Sequence, residues 1–85
     1  MELISYPVDM AANPLVGIRS GGDVYVRGYE GSEIQVAIRD RRLVRMDNES
    51  SGVWVVIKDN AIVSVPTGLR VQLEKVGGDG LVSDL

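Results

Sequence analysis

The side chains able to do chemistry in this 85-residue sequence are few, and what is missing narrows the options first. There is no Cys and no His, so disulfides, thiolate metal sites and the usual neutral-pH general base are excluded. A Ser–Lys dyad would have to recruit Lys58 or Lys75, each sitting as a solvated charge on a strand face. Glu30, Glu33, Asp40, Asp47 and Asp59 could supply a carboxylate pair for glycoside hydrolysis, but they cluster at turns, where acidic residues are ordinary. "DNES" (Asp47 to Ser50) and "GGDG" (Gly77 to Gly80) lack the regular oxygen spacing of an EF-hand loop. The Gly-Gly-Asp turns are followed by neither a helix nor the Lys-Ser/Thr of a phosphate loop. The expectation is therefore a protein with no catalytic residues, no metal and no cofactor.

Binding chemistry is better represented. "RDRRLVR" (Arg39 to Arg45) concentrates positive charge, yet Asp40 interrupts it and alternation splits its arginines between two faces. The formal net charge is −3 and the isoelectric point about 4.7, a balance that disfavours sequence-independent nucleic-acid binding. Tyr25, Arg27 and Tyr29 line one face of a strand, an aromatic-plus-Arg combination typical of interaction surfaces. Trp54 and Val56 make "VWVVI" apolar on both faces, so they are candidates for a self-association contact.

The elements that carry these residues follow from a period of two that runs through nearly the whole chain. Val is the commonest residue, and hydrophobic residues make up 45% of the sequence; stiff β-branched side chains favour strands. Ile34, Val36 and Ile38 alternate with Glu33, Gln35 and Arg39. Val24 and Val26 face a core opposite Tyr25 and Arg27, and Leu69, Val71 and Leu73 alternate with Arg70, Gln72 and Glu74. Pro7 marks an edge strand because it cannot donate to a ladder. Asp59-Asn60 is expected to close a two-residue hairpin. No segment sustains helical spacing. The fold class is all-β, a small sandwich or incipient β-solenoid of about eight or nine short strands with antiparallel hairpins at its start. It forms one domain over residues 1–85, or a fragment of a longer repeat array.

A repeat sharpens this picture. "SGGDVYVRGYE" and "VGGDGLVSDL" superimpose when Gly22 is set on Gly78, an offset of 78 − 22 = 56 residues. Each copy is a strand, a turn (Gly21, Gly22, Asp23 or Gly77, Gly78, Asp79) and another strand. Gly is expected there for its access to positive φ and Asp for bonding nearby backbone N–H groups.

On these residues the sequence resembles a bacterial adhesin-like family of β-solenoid-like domains with Gly-Asp-Val repeats and no assigned function. The family's opening pattern falls on Gly22, Asp23, Val24, Val26, Gly28, Gly31, Ile34 and Val36, and a second pattern on Val65, Pro66, Gly68, Val71, Leu73, Gly78 and Asp79. Gly80 stands where the family has Val, and the later repeats are missing. The resemblance implies a structural or surface-associated role and supplies no catalytic residues. The expected function is a non-enzymatic adhesion-type module that works by self-assembly or surface contact; the alternative is a carbohydrate- or small-ligand-binding domain. Its expected partners are copies of itself or further β repeats at the C-terminal edge, where "LVSDL" would present Leu81 and Leu85. No run is long enough to span a membrane. The opening "MELISYPVDM" lacks the basic start and apolar core of a signal peptide. As written, the chain is expected to be soluble and cytoplasmic, or surface-associated if it belongs to a longer protein.

Overall fold

The computed structural model describes residues 1–50 and 52–83, with the backbone alone at 75 and 76. Among the described residues nine strands form: β1 (Glu2–Pro7), β2 (Leu15–Ser20), β3 (Val24–Tyr29), β4 (Glu33–Ile38), β5 (Val44–Glu49), β6 (Gly52–Ile57), β7 (Ala61–Pro66), β8 (Val71–Val76) and β9 (Gly80–Ser83). Short 3-10 turns at Met10–Ala12 and Arg41–Leu43 are each opened by an Asp, Asp9 and Asp40, whose carboxylate accepts a backbone N–H two residues on. Among the described residues, no helix is long and apolar enough to cross a membrane.

The strands make two sheets, one of five strands in the order β1-β4-β7-β3-β9 and one of four in the order β5-β6-β2-β8. Alternation decides what lies between them. Val24, Val26, Ile34, Val36, Ile38, Val63 and Val65 from the first sheet meet Val16, Ile18, Val53, Val55 and Ile57 from the second, all of them buried. This is a small β-sandwich, and the faces expected for β3 and β4 are the faces observed. Pro7 lies on an edge strand, paired through β1 to β4 only.

The connections differ from expectation. The hairpin expected at Asp59-Asn60 is absent: β6 belongs to the four-stranded sheet and β7 to the five-stranded one, so the turn between them is a corner that carries the chain across the sandwich. The same holds for the turns β2–β3 and β8–β9. Nor do hairpins open the chain, since β1 pairs with β4 and β2 with β6 and β8. Among the described residues only β5 and β6 are consecutive strands bonded to each other. The physical reason is that inward–outward alternation continues unbroken through either a hairpin or a corner.

Candidate functional site: three stacked corners and an open rung

The corners lie on one another. Strand β2 is parallel to both β6 and β8, and β3 is parallel to both β7 and β9. Ser20 sits opposite Ile57 on one side and Val76 on the other, while Val24 sits opposite Ala61 and Gly80. Three strand–turn–strand rungs are therefore stacked in register, in the order β6–β7, β2–β3, β8–β9. The 56-residue echo in the sequence is a contact between neighbouring rungs. The first rung, β6–β7, carries Lys58-Asp59-Asn60 where the others carry Gly-Gly-Asp, so it has no glycine echo in the sequence. Only the Asn/Asp at the last turn position was there to signal it.

That position carries a ladder of side chains. Asp23 N–H donates to Asn60 Oδ1 at 2.7 Å, and Asp79 N–H donates to Asp23 Oδ1 at 2.8 Å. Backbone bonds run beside it: Gly21 N–H to the Ile57 carbonyl, Gly77 N–H to the Ser20 carbonyl, Ala61 N–H to the Asp23 carbonyl and Val24 N–H to the Asp79 carbonyl, all 2.8–3.0 Å. The buried Ser20 hydroxyl closes the turn on Gly22, accepting its N–H and donating to its carbonyl.

The glycines serve this approach. None of Gly21, Gly22, Gly77 and Gly78 has positive φ, which among the described glycines belongs to Gly68. The expected reason for these glycines is corrected accordingly. A Cβ at Gly22 would stand 2.4 Å from Asn60 Oδ1 and 2.9 Å from Asn60 N; one at Gly78 would stand 2.1 Å from Asp23 Oδ1. Glycine leaves room for the Asn or Asp side chain of the rung before it.

The two ends of the stack are unlike. Beyond β6–β7 lie the antiparallel strands β5 in one sheet and β4 then β1 in the other. At the other end, β8 and β9 are both edge strands on the same side of the sandwich. Val82 points inward, opposite Val26, yet stays 40% exposed, with no further rung over it among the described residues. Val71 and Leu73 on β8 are only partly buried. Leu81 is exposed on the outer face, and Leu85 lies outside the described residues.

The remaining expected residues separate. Tyr25, Arg27 and Tyr29 share the outer face of β3, but each is held elsewhere: the Tyr25 hydroxyl bonds with Ser83 Oγ, Arg27 Nε donates to Ser64 Oγ, and the Tyr29 hydroxyl donates to the Glu33 carbonyl. Only Tyr25 borders the shallow trough of about 430 Å³ on that face, together with Asp23, Ile62, Asp79 and Leu81. Trp54 is 7% exposed. Its ring fills the space over Gly17, and the Arg19 guanidinium stacks on it with Cζ 4.7 Å from the centroid. Arg19 is in turn paired with Glu74 at 3.0 Å. The apolar outer face of β6 is thus covered by its own chain at Trp54, while Val56 remains half-buried.

The basic segment is neutralised residue by residue. Arg39 pairs with Asp59, Arg42 with Asp40 at 2.7 Å, Arg45 with Asp47 at 3.0 Å and Arg41 with Glu2 at 3.9 Å. The Arg42 side-chain bond, helped by the Arg42 backbone N–H, lowers the Asp40 carboxyl to about 2; the Arg39 side-chain bond, helped by the Asn60 backbone N–H, holds Asp59 below the usual carboxylate range. Among the described residues no group of three or more acidic side chains is arranged to hold a metal ion. No protein-family model matches the chain, and neither a curated protein nor a solved structure matches it.

Proposed function

We propose that the chain is a non-enzymatic structural module that associates by adding a further strand–turn–strand rung at the end formed by β8 and β9, as the resemblance to the adhesin-like family implies. The observation that carries this reading is inward-facing Val82, 40% exposed between two edge strands that open on the same side. Exposed strand edges are templates for pairing, and here two of them flank uncovered core. Repeating the bonds seen between rungs would use the Val76 carbonyl, the Gly80 N–H and the Asp79 carboxylate. The incoming unit would need a backbone N–H at its own last turn position, as Asp23 and Asp79 provide. The candidate carboxylates Asp40, Asp47 and Asp59 are each engaged by an arginine, which favours a structural role over acid–base work.

Light scattering over a concentration series tests the reading. Mass above the monomer is expected to rise with concentration and to fall in Val82→Lys, which places a charge against the next rung. A mass that ignores Val82→Lys refutes the proposal.

A further inference from the structure

A second surface, separate from the open rung, is built to meet its own copy. The outer face of the five-stranded sheet carries one residue from every strand in a single row. Leu3 is opposite Ala37, Ala37 opposite Ile62, Ile62 opposite Tyr25, and Tyr25 opposite Leu81. Apart from Ala37, each is exposed, with Ile62 at 41% in the middle. The neighbouring row toward the corners is charged. Continuing the register two residues past Ala37 and Ile62 sets Arg39 opposite Asn60, and the side-chain ladder then sets Asn60, Asp23 and Asp79 side by side. Positive charge lies on the β4 side of this row and negative charge on the β3–β9 side.

We infer that two copies pack these faces together about a two-fold axis running along β7. Strand β7 is the middle strand of the five, so the rotation sets β4 over the partner's β3 and β1 over the partner's β9. Four juxtapositions that result are complementary. Ile62 meets the partner's Ile62 on the axis, and the small Ala37 receives the partner's Tyr25. Leu3 meets the partner's Leu81, and Arg39 faces the partner's Asp23. Arg39 already holds Asp59, but its side chain is 74% exposed and its guanidinium has donors to spare. Two-fold interfaces must be self-complementary in this way, and aligned packing of two sheets is a standard arrangement.

The area fits a reversible dimer. Five strands at about 4.8 Å and three rows at about 6.7 Å cover roughly 500 Å² per copy. About 1,000 Å² in total lies at the low end of specific interfaces.

Cross-linking at the axis tests the inference, because the chain has no cysteine of its own. Facing sheets sit about 10 Å apart, beyond the reach of a disulfide, so a short bismaleimide is used. Ile62→Cys is expected to yield a covalent dimer in high yield, and Arg45→Cys, exposed on β5 of the four-stranded sheet on the far side of the sandwich, to yield almost none. In sedimentation equilibrium on a Val82→Lys background, which removes association through the open rung, Ile62→Lys is expected to leave only monomer, with a melting temperature close to that of Val82→Lys alone. Asp23→Asn keeps the side-chain oxygen that the ladder uses, as Asn60 does; it is expected to weaken the dimer several-fold and to reduce its sensitivity to salt. Equal cross-linking at both positions, or association unchanged by Ile62→Lys, overturns the inference. Association through the open rung is insensitive to Ile62→Lys and lost in Val82→Lys, so failure of one surface is distinguishable from failure of the other.

Discussion

Gly21 and Gly22 are adjacent, identical in type and part of one turn, yet they are expected to respond oppositely to alanine. At Gly21 an added Cβ meets nothing nearer than 3.8 Å, and its φ is not positive. Alanine then fits the native backbone and restricts the unfolded chain, which is worth about 0.4–1 kcal/mol of added stability. At Gly22 the added Cβ lies 2.9 Å from both Asn60 N and the Asp59 carbonyl carbon, and 2.4 Å from Asn60 Oδ1. The Asn60 side chain can rotate away at the cost of its bond to Asp23 N–H, about 0.5–1.5 kcal/mol. The backbone atoms can yield only if the rungs separate, and overpacking of this kind costs about 1–3 kcal/mol. The two substitutions should therefore differ by about 2–5 kcal/mol, or on the order of 10 °C or more in melting temperature for a domain of this size. Thermal and urea unfolding followed by circular dichroism measures the difference, with matching m-values showing that the same transition is compared. Equal melting temperatures for the two variants would refute the close-stacking account of the corners.

The other expectations are simpler. Gly17→Ala puts a Cβ 2.1 Å from the Trp54 ring; it should displace the indole, red-shift its emission and cost about 1–3 kcal/mol. Asp23→Ala removes the acceptor of Asp79 N–H and should cost about 1–2 kcal/mol, with hydrogen exchange quickening first in β9, whereas Asp23→Asn should cost a few tenths at most. On acidification, Asp40 has a folded-state value of about 2 against an ordinary 3.8. Its contribution is thus complete above about pH 4 and lost as pH falls through about 2. Melting temperature should decline in that window, and less so in Asp40→Asn.

Much of the sandwich can be read from alternation, because a strand with one face in the core must place its apolar residues at every second position. Ile34, Val36 and Ile38 show this, as do Val24 and Val26 against Tyr25. What alternation does not encode is the plane in which the chain turns. Ile57 and Ala61 point inward whether Asp59-Asn60 closes a hairpin or rounds a corner, so the partition into two sheets depends on pairings between distant strands. The Gly-Gly-Asp echo marks two of the stacked rungs; the third is silent in the sequence because Lys58 and Asp59 stand where the others have glycine. Trp54 reads as a surface contact in the sequence because its cover, Gly17 and Arg19, lies far away along the chain. The row from Leu3 to Leu81 is equally hidden: its members come from five strands whose order is not the chain order.

The most direct test of the open rung is amide hydrogen exchange as a function of protein concentration. The proposal predicts that protection in 71–76 and 80–83 increases as concentration rises, while β5, the edge at the capped end of the four-stranded sheet, is unchanged. Protection in β8 and β9 that stays constant over a concentration range in which the protein associates would contradict it.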